Sequence, residues 1–310
     1  MHDFTPCSAL TVSPILPHHT LPTSLLNPVI NLANTANTVK ARITATTNIS
    51  KITKSMKMVS AAKLRGDQAR LSAAKPFAAW TNQVTGGALG LEDLNTDHFP
   101  QKNLLVICST DKGLCGGVNT ILARMTRQLI SSLDAQNKDA HIFVLGDKGR
   151  SALRRVYGER FVGSATERVM PYSFDLASKI TADTMEGDYD AVHILFNEFK
   201  SAIAYLPSIT TITPKVDPAD DFFAPFEVEP ENDPETLLSF HEYTMATKMY
   251  YAMLENATSE QSSRMSAMEN ASKNAGEMIE KFTLQYNRAR QARITTELIE
   301  IISGASALEG

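Results

Sequence analysis

A chain of 310 residues, 43% of them hydrophobic and 21% charged, has material for one large core or two modest ones. Its formal net charge of -4 gives no global attraction to nucleic acid or anionic lipid. Three cysteines, Cys7, Cys108 and Cys115, argue against a disulfide framework and for a reducing compartment, and no apolar run approaches the ~20 residues that cross a bilayer.

Residues 1–37 read as an irregular N-terminal extension. Up to Lys40 the chain holds five prolines and neither Lys nor Arg, which suits neither an Arg-rich presequence nor a secretory signal. From Val29 to Lys75 there is no proline, and residues 38–95 are assigned to a long N-terminal helix. Val39, Ile43, Ile49, Ile52, Met56 and Val59 form its apolar stripe, interrupted by Thr46, Thr47, Ser50 and Thr53. Between Lys40 and Arg65 lie seven basic residues and no acidic one. That stretch could follow a phosphate backbone or meet acidic protein loops, and its spacing does not separate the two.

Residues 96–216 alternate apolar runs with helical periodicity. "NLLVICST" (103–110), "HIFVLG" (141–146), "DAVHILFNEF" (190–199) and "YLPSITTITP" (205–214) predict strands. "TILARMTRQLISSL" (120–133) and "SFDLASKITADTM" (173–185) predict helices, so the region is expected to be an α/β domain on a mainly parallel sheet. "STDKGLCGGVN" (109–119) joins strand to helix where phosphate loops occur, but it matches neither glycine fingerprint and reads as a plain βα turn. Cys115 has no base placed with it in the sequence and reads as a structural thiol. No spacing suggests a metal site, and no cofactor is expected.

The acidic, Pro-rich stretch 217–235 reads as a linker to a second proline-free segment, 236–310, assigned to a C-terminal helix. At ~1.5 Å per residue the two proline-free stretches allow helices of about 70 and 110 Å. Met265, Met268, Ala271, Ala275, Ile279, Phe282, Tyr286 and Ala289 step by three and four, and Ile294, Leu298, Ile301, Ala305 and Leu308 extend the stripe. The two helices are therefore expected to pair as an antiparallel coiled coil, with the α/β region returning the chain between them. The C-terminus is unusual for a helix end, because no Lys or Arg follows Arg293 to offset the negative pole of the dipole.

Four stretches resemble one family. "RITATTNISKITKSMKMVSAAKLR" (42–65) is similar to the N-terminal helix of the gamma subunit of F-type ATP synthase. "DKGLCGGVN" (111–119) and "GDKG" (146–149) resemble its βα turns, and residues 259–308, ending in "ITTELIEIISGASAL", resemble its C-terminal helix. The resemblance covers about residues 38–308, and the extension before it favours a mitochondrial form.

This resemblance implies a central Rossmann-like α/β domain and a non-catalytic rotor subunit, present once per complex. It would couple rotation of the membrane c-ring to the catalytic sites of the beta subunits. The implied partners are alpha and beta subunits, the small delta and epsilon rotor subunits and the c-ring, with no nucleic acid, on the matrix side of the mitochondrial inner membrane. It implies polar or loop contacts with the head for Met56, Arg264, Arg290, Gln291, Thr295 and Glu297. Ile301, Ile302, Ala305 and Leu308 would form a tip held in a bearing. Two rival readings explain half the chain each: a cationic helical hairpin for nucleic acid, and a nucleotide-using α/β enzyme on residues 103–214.

Overall fold

The computed structural model describes residues 23–92, 94–168, 170–213 and 234–309. Helix α1 (Thr23–Ala79) is followed by α2 (Thr81–Thr85), β1 (Leu89–Gly90), β2 (Lys102–Cys108), α3 (Val118–Ala135), β3 (Asp139–Leu145) and α4 (Asp147–Tyr157). A 3-10 turn leads to β4 (Phe161–Ala165), α5 (Phe174–Met185), β5 (Ala191–Ser201), β6 (Ala204–Ile212) and finally α6 (Pro234–Glu309). The described residues divide into two compact units, one within 49–275 and one of residues 23–48 with 276–309.

In the larger unit the sheet order is β1-β6-β5-β2-β3-β4. The four strands β5, β2, β3 and β4 are parallel, while β6 runs antiparallel to both β5 and β1. The sheet is therefore mixed and mostly parallel. Only Ala202 and Ile203 separate β5 from β6, and so short a connection permits a hairpin but no crossover.

Side chains alternate across the strands as the pleat requires. Leu105, Ile107, Ile142 and Val144 face α3 and α4 through Leu122, Ile130, Leu133 and Leu153. Leu104, Val106, Phe143 and Ile194 face α5 and α6 through Ile180, Met245, Met249 and Met253. Both faces are covered, which is why these strands read as continuous apolar runs rather than alternating ones. One covering layer is the first part of α6. The C-terminal helix is thus built into the α/β core, which the linear division at residue 236 did not convey.

Three sequence expectations need correction. Helix α1 already begins at Thr23, inside the stretch read as an irregular extension. It ends at Ala79, three residues after Pro76 removes a backbone donor, and residues 89–90 form an edge strand rather than more helix. The second βα unit, α4 with β4, was absent from the sequence reading. α4 buries only Gly149 and Leu153, and β4 is an edge strand that is never more than half-buried, so neither presents a strong apolar pattern. The expected linker 217–235 lies outside the described residues apart from the start of α6.

The third correction concerns the seam of α1. Its fully buried positions, Ala36, Val39, Thr46, Ser50, Thr53, Ser60, Leu64, Asp67, Leu71, Ala74 and Ala78, fall with half-buried Ile43 and Lys57 on one line of alternating three- and four-residue steps. Thr46, Ser50, Thr53 and Ser60, which had seemed to interrupt the stripe, are the seam. Ile49, Ile52 and Val59 are 53%, 58% and 56% exposed. Two of the buried hydroxyls are visibly satisfied: Thr46 Oγ1 donates to Arg42 O at 2.8 Å, and Thr53 Oγ1 meets Ser272 Oγ at 2.6 Å. Within the larger unit α1 and α6 run antiparallel, since Thr53 meets Ser272, Lys57 pairs with Glu269 at 2.7 Å, and Leu71 clusters with Leu254.

Candidate functional site

The β2–α3 turn tests the enzyme reading most directly. Ser109 Oγ donates to Leu145 O at 2.7 Å and accepts from Gly149 N at 2.9 Å, fastening the two βα turns to each other. The Asn119 side chain spans the turn, accepting from Thr110 N at 3.1 Å and donating to Thr110 Oγ1 at 2.7 Å. Leu114 and Gly116 adopt positive φ, 62° and 61°. A Cβ on Gly116 would lie 2.8 Å from Ser263 Oγ, so glycine serves here both the backbone angle and the approach of α6.

A phosphate loop turns backbone N–H groups toward an anion. This turn presents carbonyls instead. Ser263 Oγ donates to Cys115 O at 2.7 Å, and Arg264 donates to Gly113 O at 3.2 Å. Arg264 Nη2 also contacts Glu260 Oε1 at 2.6 Å, and both side chains are buried. The turn is a docking clasp for α6.

The same helix occupies the rest of the crevice. Helices α3 and α4 lie on one face and α5 on the other, so the chain reverses direction between β2 and β5, where ligands enter open α/β sheets. Beside β5, Ser259 Oγ donates to Asn197 O at 2.8 Å and Asn197 Nδ2 donates to Asn256 Oδ1 at 2.9 Å. Glu255 accepts from Phe199 N at 2.7 Å, and burial pushes its carboxyl pKa up. The polar run Glu255–Ser262 thus serves the chain's own backbone. Burial raises the Cys115 thiol and takes Cys108 up to about 12, so neither supplies a thiolate near neutral pH.

The six residues expected to contact partners fall into two groups. In the larger unit Met56 is half-buried, one helical face away from the Thr/Ser seam and in step with exposed Ile49, Ile52 and Val59. Arg264 is buried in its own chain, an environment the sequence reading missed, although Glu260 four residues earlier was a legible signal. In the smaller unit Arg290, Gln291, Thr295 and Glu297 are exposed near the end of α6. Thr295 Oγ1 donates to Gln291 O at 3.0 Å, and Glu297 lies 3.3 Å from Arg293 Nε.

The end of α6 differs from its expected stripe. The half-buried positions continue through Ile279, Phe282, Tyr286 and Ala289 to Arg293 and Thr296. Ile294, Leu298, Ile301, Ile302, Ala305 and Leu308 are instead exposed, Leu308 at 90%. Two apolar surfaces, one on each unit, are therefore left exposed: the Ile49–Val59 strip of α1 and the end of α6, which has no basic residue in its last turn. Among the described residues no helix is long and apolar enough to cross a membrane.

The comparisons agree with this architecture. The family profile described as ATP synthase matches residues 35–308. The ATP synthase gamma chain of Zymomonas mobilis is 41% identical over 292 residues, covering 87% of this chain and 98% of that one. That of Fuscovulum blasticum is 41% identical over 281 residues with the same coverage. The central stalk/c-ring structure of Tetrahymena thermophila mitochondrial ATP synthase superimposes with a TM-score of 0.57 at 30% identity, over 71% of this chain and 99% of that one. An OSCP/F1/c-ring structure of Euglena gracilis mitochondrial ATP synthase shares the fold, with a TM-score of 0.75 at 22% identity over 89% and 95% of the two chains. The chain belongs to the ATP synthase gamma-chain family.

Proposed function

We propose that this chain is the central-stalk rotor subunit of a proton-translocating F-type ATP synthase. It is non-catalytic: its α/β crevice is filled by its own α6, and ATP chemistry belongs to the beta subunits. The observation that carries the reading is the match to gamma chains over 98% of their length. The two uncovered apolar surfaces support it.

The mechanism requires asymmetry rather than a reactive group. Chemically identical sites arranged around one asymmetric subunit each meet a different face of it. A partner shifts a conformational equilibrium only by binding its states unequally. Turning the rotor therefore exchanges the roles of the sites, proton flow driving it one way and ATP hydrolysis the other. In this reading α1 and α6 form an antiparallel coiled coil, supported by the alternating three- and four-residue steps of burial along α1. The α/β part is Rossmann-like, supported by four parallel strands with helices on both faces.

The partners are one hexameric head of alpha and beta subunits, the delta and epsilon subunits, and the c-ring, with one copy of this chain per complex. Met56 with its exposed apolar neighbours meets a beta-subunit loop, and Arg290, Gln291, Thr295 and Glu297 form breakable polar contacts higher in the head. Ile301, Ile302, Ala305 and Leu308 sit in a bearing formed by other subunits. Arg264 acts from inside its own chain, holding α6 on the βα turn. The site is the matrix face of the mitochondrial inner membrane, a placement that rests on the extension preceding the family match at residue 35.

Co-assembly tests this reading. Mixed with matching alpha and beta subunits, the full chain is expected to co-elute as one copy per hexameric head with rotor-dependent ATPase activity. Elution as a free chain would overturn it.

A further inference from the structure

Where the β2–α3 turn, the β4–α5 loop, α1 and α6 meet in the larger unit there is a cavity of about 240 Å³. Its charged lining is Lys63, Lys112, Arg168 and Arg264 against Asp111 and Glu260. The two acids are already engaged. Asp111 accepts from the backbone N–H groups of Asp147 and Glu167, each at 3.1 Å, and from that of Arg168 at 3.3 Å. Glu260 is held by Arg264 at 2.6 Å.

Arg168 is the unusual member. Its side chain is only 3% exposed, its Nη2 donates to Ser109 O at 2.9 Å, and its guanidinium lies 5.1 Å over the Tyr172 ring. Its Nε is buried with no hydrogen-bond partner, because Asp111 Oδ2 at 3.6 Å is beyond hydrogen-bond range. The guanidinium is thus ion-paired with Asp111 but its Nε–H makes no hydrogen bond, and a buried donor without one is costly. Lys63 and Lys112 are exposed residues of the same lining, and neither appears in an ion pair within it. The cavity therefore combines excess positive charge with a buried, unsatisfied N–H.

We propose that this cavity binds a small inorganic oxyanion of the phosphate type, held by Arg168 and by the ammonium groups of Lys63 and Lys112. Guanidinium and ammonium donors match such oxygens well. Sites for larger organic ligands start at about 300 Å³, so the volume selects the free ion over a nucleotide. Because Lys63 belongs to α1 while Lys112 and Arg168 belong to the α/β layer, the anion bridges these elements. Phosphate then stabilises the junction by mass action.

The test uses the full chain, titrated with sodium phosphate and, separately, with sodium chloride at matched ionic strength, while thermal unfolding is followed. Phosphate is expected to raise the midpoint saturably and chloride is not. ATP should bind more weakly than phosphate. The double variant K63A/K112A should unfold normally without phosphate and bind it about tenfold or more weakly, the loss of ~1.4 kcal/mol or more. K54A, an exposed lysine outside the cavity, should titrate like the unaltered chain. A phosphate response equal to that of chloride, an unchanged response in K63A/K112A, or tighter binding of ATP would each overturn the proposal. None of these outcomes involves another subunit, so the rotor reading is tested separately.

Discussion

His193 shows how a buried side chain sets a pH response. The Asn103 side-chain amide donates to Pro100 O and Asp139 O, so its oxygen is left to accept from His193 Nε2–H at 3.0 Å. Nδ1 then accepts from the Thr211 hydroxyl at 2.9 Å, and the ring stacks on Phe99 with centroids 4.0 Å apart. The site is built for neutral imidazole, and burial pushes its pKa down to about 3. The unfolded chain takes up a proton near pH 6.5 that the folded chain refuses, so this stabilisation is complete above that pH and falls as pH drops toward 3. His193→Gln keeps a donor and an acceptor but cannot ionise; its denaturation midpoint should change less between pH 7 and pH 5 than that of the unaltered protein. Arg264 makes a second case. Arg264→Met strands Glu260 as a buried charge and should cost about 3–5 kcal/mol in urea unfolding, whereas adding Glu260→Leu should recover most of that loss. Equal costs for the single and double changes would show that the ion pair is not the source.

At the scale of elements, the antiparallel pairing of α1 and α6 predicts a specific cross-link. Thr53 and Ser272 touch through their hydroxyls, so cysteines at both positions should form a disulfide rapidly under mild oxidant in a Cys7→Ser background. Failure to do so would contradict the pairing. The strands were legible because burial on both faces leaves long apolar runs such as Leu104–Cys108. The β6 segment was found, but its direction was not, because direction depends on the length of a two-residue connection. The seam of α1 was misread for a different reason. Its contacts are made by Thr46, Ser50, Thr53 and Ser60, small side chains that allow close approach, while Ile49, Ile52 and Val59 face outward. A hydrophobicity pattern reports which side chains avoid water, not which partner covers them. The same ambiguity placed Leu298 and Ile301 in the intramolecular stripe, where Arg293 and Thr296 stand instead.

For the whole molecule, the Thr/Ser seam is occupied by contacts between α1 and α6 within the chain, and the Ile49–Val59 strip is left exposed. The exposed strip around Met56 is the surface on which coupling should be most sensitive. Met56→Lys adds a cation beside Ile52 and Val59 without entering the α1 seam, so assembly should persist while proton transport per ATP falls. Full coupling in that variant would remove the strip from the contact surface. The candidate contact residues at the end of α6 came from family resemblance; their exposure in the free chain fits that role but does not depend on it. The central claim, that this chain turns inside its complex, is tested most directly by watching it turn. With the alpha–beta head immobilised and a bead attached to the α/β part of this chain, ATP should drive one-way rotation in steps of about a third of a turn. Continued ATP hydrolysis with the bead fixed or merely diffusing would contradict the account.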